Sequence, residues 1–339
     1  MSGGGQPQDV LPTEAQWAIL TSNSQKRARF EEDLYFRECW ADVVNAFGAA
    51  AGAMARELAL LSVKPDAVVG RRLHGVLQYL TDHDFVSVSV APTSLCRHSM
   101  REIWRYDWQP YPTDRLEFST CWYVSAQILV FLCRDRSAGL ALPAAARLSE
   151  LKGSFLPQQR SVSSMRSVLR PPNRVLNFVH VSDEPADVVR ELGIYFDPAT
   201  RRRLLSDVHV NWEHDCRGQV LVEIQRLESV FPAHDLDVDR SLARIAKVST
   251  THSAGAEAIR AYIKTQRHLS WAELCSILDP ADARVDRWDF ICIASHVIWL
   301  ERDITPHEGV PIHDEANRRT NQPGGSCPGH REALEADVG

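Results

Sequence analysis

Apolar and polar positions alternate with different periods along this chain, and the changes of period divide it. Residues 1–13 are polar and glycine-rich, which predicts disorder. From residue 14 to 56 the pattern is helical, with Phe36, Trp40, Val43, Val44 and Phe47 recurring at helical spacing. LALLSV at 58–63 then reads as a buried strand. Residues 72–83 place Leu73, Val76, Leu77 and Leu80 on one helical face. FVSVSV at 85–90 alternates valine with serine, as a half-buried strand does. Further helices are predicted at 94–105 and 144–152, and strands at 126–133 and 174–179. A helix over 185–196 starts on Pro185, with Ser182, Asp183 or Glu184 as its cap.

Strands and helices interleave through this stretch, which predicts an α/β or α+β domain. Beyond Asp197 only helical patterns recur, at 220–230, 241–246, 254–266, 270–278 and 288–300. Ser270 and Glu273 form a capping-box pair there. The predicted organisation is therefore a disordered N-terminus (1–13), a helical extension (14–56), a mixed domain (57–200), a helical C-terminal domain (201–304) and a disordered tail (305–339).

Composition narrows the class. With 44% hydrophobic and 24% charged residues among 339, the chain can bury a sizeable core. A net charge of -6 argues against a nucleic-acid partner, and the basic run Arg201, Arg202, Arg203 reads as a solvated face. None of the eight cysteines forms a CxxC pair, so zinc and thioredoxin-like sites are poorly supported and a cytoplasmic setting is expected. No signal peptide and no membrane span is expected.

Two segments place ionisable residues at strand exits, where loops commonly hold functional groups on a rigid scaffold. One is Lys64-Pro65-Asp66-Ala67-Val68, and the other runs from Asn177 through His180 to Asp183. Taken alone, a histidine beside an apolar run is more often structural, and a lysine at a strand end is usually a surface charge. Glu191, in the following helix, could fold back to hold one imidazole nitrogen and leave the other free to attack. The tryptophans, Trp104 and Trp122 among them, read as packing residues rather than a stacking platform.

Together the two segments resemble the nucleoside diphosphate kinase family. LALLSVKPDAVVGRRLHGVLQYLTDHDF is similar to its opening, and NFVHVSDEPADVVRELGIYF to its active-site segment NxxHGSDS and the helix after it. The resemblance covers residues 58–196 and implies an α+β, ferredoxin-like βαββαβ core. It implies that His180 carries the transferred phosphate, that Glu191 orients its imidazole and that the Ser182 hydroxyl supports that carboxylate. Lys64, Tyr106, Arg147 and Arg166 would then meet nucleotide or phosphate, and Asn177 the ribose. The implied ligands are nucleoside tri- and diphosphates with Mg²⁺ carried by the nucleotide, and the implied assembly a homo-oligomer. Val181 stands where the family has glycine, and a β-branched side chain there is expected to crowd the phosphate or shift the loop. Gly153-Ser154-Phe155-Leu156-Pro157 replaces GATNP, and Met165-Arg166-Ser167-Val168 replaces IRGD. A nucleotide-holding module without turnover, with the region after Asp197 as its output, and a partner-binding scaffold are the alternatives.

Overall fold

The computed structural model describes residues 10–106, 111–137 and 141–298. Four helices come first: α1 (Glu14–Leu20), α2 (Ser24–Glu32), α3 (Leu34–Phe47) and α4 (Ala51–Glu57). Their starts follow from the sequence, because Thr13, Asn23 and Asp33 each accept hydrogen bonds from backbone N–H groups of the helix that follows. Next come β1 (Leu58–Val63), α5 (Pro65–Val69), α6 (Leu73–Asp82), β2 (Phe85–Thr93), α7 (Arg97–Ile103), α8 (Thr113–Tyr123) and β3 (Ile128–Asp135). The mixed part continues with α9 (Ala144–Lys152), α10 (Met165–Leu169), β4 (Val179–Val181) and α11 (Pro185–Tyr195). The remaining helices are α12 (Pro198–Val210), α13 (Arg217–Val230), α14 (Val238–Ile245), α15 (Thr250–Lys264), α16 (Trp271–Ile277) and α17 (Arg287–Val297).

The strands form one antiparallel sheet in the order β2-β3-β1-β4. The central strand β1 sets Leu61 opposite both Phe131 and Val181, and Ser62 opposite His180. All six residues of β1 are buried, which matches its apolar run. The chain is thus a mixed α/β protein built on a four-stranded antiparallel sheet. Among the described residues, no helix is long and apolar enough to cross a membrane.

Several expectations need correction. The FVSVSV strand is not half-buried: Ser87 and Ser89 are as inaccessible as Val88. It lies at the sheet edge, but the start of the C-terminal region covers it. The Cys216 N–H donates to the Ser87 carbonyl at 2.8 Å, and the Asn211 amide donates to the Val88 carbonyl at 3.1 Å. An irregularity between Ser87 and Ser89 shifts the register against β3. Edge groups that would otherwise be open to another strand are satisfied within the chain.

The strand expected at 174–179 shrinks to Val179–Val181. Asn173 draws the chain into a turn by accepting from the Val175 and Leu176 N–H groups, and Phe178 adopts a left-handed φ of 71°. Helices α8 and α12 were not foreseen. The boundary expected at 200 falls inside α12, and the N-terminal helices, the sheet and the C-terminal helices share one hydrophobic core. Nor is the basic run at 201–203 uniformly solvated. Arg201 is buried and pairs with Asp42 of α3 at 2.8 Å, while Arg202 and Arg203 stay exposed. The disordered segments expected at 1–13 and 305–339 fall, apart from residues 10–13, outside the described residues.

Candidate functional site

The site is assembled where the exit of β1 meets the loop before β4. Lys64 follows β1 and serves as N-cap of α5, whose first residue is Pro65. Its backbone N–H donates to the Phe178 carbonyl at 2.8 Å, and the Asp66 carboxylate accepts from the Phe178 N–H at 2.8 Å. This pair of bonds explains why Phe178 holds its unusual φ. It also brings two segments more than a hundred residues apart into register. As a result the Lys64 ammonium donates to the Asn177 side-chain oxygen and sits 4.7 Å from the centre of the Trp122 ring.

His180 lies in the middle of β4. Its Nε2 is 3.0 Å from both carboxylate oxygens of Glu191, one turn before the end of α11. A carboxylate only accepts, so Nε2 carries the proton and Nδ1 of the neutral ring keeps a lone pair. The Trp104 ring packs edge-on against the imidazole at 5.3 Å and fixes its other side. Helix α11 is positioned by the N-terminal extension. Lys26 reaches Glu184 at 2.8 Å and Asp187 at 2.7 Å, and Arg190 reaches Asp33 at 2.7 Å. Burial works against the Lys26 charge, but the two carboxylates outweigh it and hold the ammonium above its ordinary pKa.

In front of His180 opens a cavity of about 140 Å³. Its cationic lining is Lys64, Arg115, Arg166 and Arg174, with Asn177 and Ser119 beside them, and among the described residues no carboxylate lines it. Arg166 donates to the carbonyls of Gly153 at 2.8 Å and Val179 at 2.9 Å. Burial pushes its guanidinium down to about 10 and lowers Lys64 and Arg115 as well. The same burial pushes the Asp66 carboxyl up. Gly153 permits the turn that offers the first of those carbonyls, having φ 80° and no room for a Cβ beside Ser164. A cluster of cations, two of them buried, around a histidine with one committed nitrogen can bind an anionic group and present it to a nucleophile.

His180, Lys64, Asn177 and Arg166 therefore meet in one cavity, with Glu191 behind the histidine. Four other expectations are corrected. Arg147 does not reach the cavity: its guanidinium pairs with the buried Asp135 at 2.7 Å and donates to the His83 carbonyl at 3.0 Å. Tyr106 packs against Phe30 and the guanidinium groups of Arg29 and Arg190 and, among the described residues, lines a smaller cavity behind His180 rather than the one in front of it. The Ser182 hydroxyl is fully buried and, among the described residues, makes no hydrogen bond to Glu191 or any other group. Val181 does not crowd the cavity, because the strand turns its side chain into the core, where it is fully buried.

Sequence reasoning missed Arg115, Ser119 and Arg174, whereas Trp104 and Trp122 are packing residues as expected, set against His180 and Lys64. Arg115, Ser119 and Trp122 ride on α8, whose apolar residues show no helical period. Arg174 stands three residues before Asn177, and that closeness to the second polar segment was its available signal.

One further cluster has metal-ligating residue types, since ligand atoms of His234, Asp286 and Asp289 lie within 4.8 Å of one another. Arg244 already fills it, with its Nε 2.8 Å from Asp289. His234 donates or accepts at both ring nitrogens, and Asp286 caps α17. It reads as a structural ion network.

No family model matches the sequence, and no curated protein does. Solved structures that resemble the fold are nucleoside diphosphate kinases. The enzyme of Aquifex aeolicus is 18% identical, with a TM-score of 0.36 over 42% of this chain and 96% of that one. That of Encephalitozoon cuniculi is 18% identical, with a TM-score of 0.35 over 41% and 88%. That of Halobacterium salinarum, solved with CDP, is 18% identical, with a TM-score of 0.35 over 42% and 89%. A likeness of this size carries no argument about chemistry, which rests on the geometry of the cavity.

Proposed function

We propose that this chain is a nucleoside diphosphate kinase-like phosphotransferase, built on a ferredoxin-like βαββαβ core and acting in the cytoplasm through a phosphohistidine at His180. The observation that carries the proposal is the His180–Glu191 pair set against a cavity lined by cations, of which Lys64 and Arg166 are buried. The strand order β2-β3-β1-β4 supports the core assignment.

In the first half-reaction, the Nδ1 lone pair forms a bond to the terminal phosphorus of a nucleoside triphosphate. The bond from that phosphorus to its bridging oxygen breaks, and the diphosphate leaves with the electron pair. Glu191 holds the Nε2 proton and offsets the positive charge that develops on the ring. Lys64 and Arg166 face the phosphate oxygens, where burial strengthens their field. In the second half-reaction a terminal oxygen of a diphosphate attacks the same phosphorus and the P–N bond breaks, which gives ping-pong kinetics. Among the described residues the lining of the cavity has cations and no carboxylate, so Mg²⁺ would arrive on the nucleotide rather than in a protein cage. Bound in that way, it would neutralise phosphate charge.

The test is incubation with Mg²⁺ and γ-labelled ATP, followed by an alkaline quench. Acid-labile label on the wild type, absent from His180→Ala, is the expected result. Equal label on both proteins would overturn the assignment of His180. A second reading, a nucleotide-holding module without turnover, is favoured by the unbonded Ser182 hydroxyl and by the engagement of Lys64 with Asn177. It requires thermal stabilisation by nucleotide with no label on either protein.

A further inference from the structure

Two elements supply much of the wall of the cavity in front of His180. One is α8, with Arg115, Ser119 and Trp122, and the other is the loop at 173–178, with Arg174 and Asn177. Both are bonded to α17, a helix of the C-terminal region that, among the described residues, does not itself line the cavity. The Asn173 side chain makes the first link. Its oxygen accepts from the Val175 and Leu176 N–H groups at 2.8 and 2.9 Å, and its amide nitrogen donates to the Ser295 hydroxyl oxygen at 2.8 Å. That hydroxyl gives its own proton to the Cys292 carbonyl at 2.6 Å, which leaves its oxygen to accept from Asn173. The loop carries the constraint onward. The Asn177 amide donates to the Arg174 carbonyl at 2.8 Å, and its oxygen accepts from the Lys64 ammonium. The second link is Arg287, the first residue of α17, which donates to the Cys121 carbonyl of α8 at 3.2 Å.

Helix α17 is a firm support for both. Phe290, Ile291, Ile293, Ala294 and Val297 are buried, and Asp289 is held by His234 and Arg244. The Leu269 N–H closes its end by donating to the Val297 carbonyl at 2.8 Å. His180 and Glu191 are held differently. They stand on β4 and α11, and the ion pairs of Lys26 and Arg190 tie α11 to the N-terminal extension. The reacting pair and the wall that faces it are thus fixed from different parts of the chain.

We propose that Ser295 is a positioning residue for anion binding. Through Asn173 it fixes the loop that carries Arg174 and Asn177, so α17 sets how tightly the cavity holds phosphate without setting the reactivity of His180. A ligand in the cavity steadies α17 in return, because coupling between two sites is reciprocal. The kind of ligand rests on the phosphotransferase reading, whereas the link rests on the hydrogen bonds that join α17 to the loop.

Two measurements on the full chain test the proposal. Hydrogen exchange with and without ADP and Mg²⁺ needs no variant. Amides of residues 173–178 and of α17 are expected to exchange more slowly with ligand bound. Ligand that binds and leaves exchange in α17 unchanged overturns the proposal. The second measurement uses Ser295→Ala, which deletes one buried acceptor outside the cavity. Calorimetric affinity for ADP with Mg²⁺ is expected to fall about fivefold, the loss of one hydrogen bond. Single-turnover labelling from saturating γ-labelled ATP is expected to change by less than about twofold, the pattern of lost binding without lost chemistry. A merely structural role would lower the melting temperature and leave affinity per folded molecule unchanged, and that result overturns the proposal. So does labelling at saturation that slows as much as affinity falls. If Ser295→Ala fails to fold, the exchange measurement decides alone. Weaker ADP binding by Ser295→Ala, together with a wild type that takes no label, would keep this inference and remove the phosphotransferase. Label on the wild type with unchanged affinity in Ser295→Ala would do the reverse, and a wild type that binds neither ADP nor ATP would remove both.

Discussion

Both carboxylate oxygens of Glu191 lie 3.0 Å from Nε2 of His180, so the carboxylate straddles one N–H rather than accepting it on a single oxygen. The arrangement fixes the tautomer and the ring plane together, and Trp104 prevents the imidazole from swinging away. Glu191→Gln keeps one acceptor but loses the charge that stabilises the phosphorylated ring. Single-turnover labelling from γ-labelled ATP is expected to slow by about 10²-fold or more, within the usual range for a lost acid–base partner. Labelling at the wild-type rate would remove Glu191 from the chemistry.

Val181 bears on stability rather than on phosphate access. Its side chain is fully buried, and its backbone pairs with Leu61 in the sheet. Val181→Gly loses that burial and gains unfolded-state freedom, for a loss of about 2–4 kcal/mol in denaturant unfolding. No gain in labelling is expected. A faster reaction without a stability loss would mean that the side chain does reach the phosphate.

At Gly193, α11 lies directly against the backbone of α3. A Cβ there would sit 2.3 Å from the Tyr35 carbonyl oxygen, a backbone atom that cannot move alone. Gly193→Ala is expected to cost ~1–3 kcal/mol by overpacking. Because α11 carries Glu191, labelling should slow as well, and thermal melting together with single-turnover kinetics reads both effects. A melting temperature equal to the wild type's would show that α3 yields without strain.

Arg147 holds the buried Asp135 at the end of β3. Arg147→Leu leaves that carboxylate without its cation, at a cost of about 2–4 kcal/mol. Labelling from γ-labelled ATP per folded molecule is expected to stay unchanged, since the residue lies outside the cavity. Slower labelling in a protein of unchanged stability would return Arg147 to the phosphate site.

The C-terminal ion network predicts a pH dependence. Burial works against the Asp289 carboxylate, but hydrogen bonds from His234 and Arg244 outweigh it and hold its pKa below the ordinary carboxylate value, and Arg244 lowers Asp235 in the same direction. A carboxylate depressed on folding contributes stability that is present above its unfolded pKa and lost as pH falls through its folded value. Wild type should therefore exceed Arg244→Met by ~1–2 kcal/mol at neutral pH, a figure discounted for the partial exposure of Arg244. That difference should shrink below about pH 4. A difference that stays constant to acid pH would show that the network contributes through packing alone.

The sequence by itself determined much of the local structure. Apolar runs specified β1 and β3, capping residues specified the helix starts at 14, 24, 34 and 271, and Pro185 with Glu184 specified the start of α11. These features were legible because a period or a cap is written within a few residues. The two polar segments at strand exits were legible for the same reason, and with them His180, Lys64, Asn177 and Glu191. What only the tertiary structure decided depends on partners far away in the chain. The loop at 174–178 departs from a strand because Asp66 and Lys64 bond to Phe178 across more than a hundred residues. Ser87 and Ser89 are buried because α12 and α13 return to cover β2. Arg147 leaves the site because Asp135 is nearer, and Arg115 and Arg174 enter it because α8 and the loop before β4 face the same cavity. An arginine on an irregular segment has no local signature of its destination, since its charge is paired by whichever group the fold brings within reach.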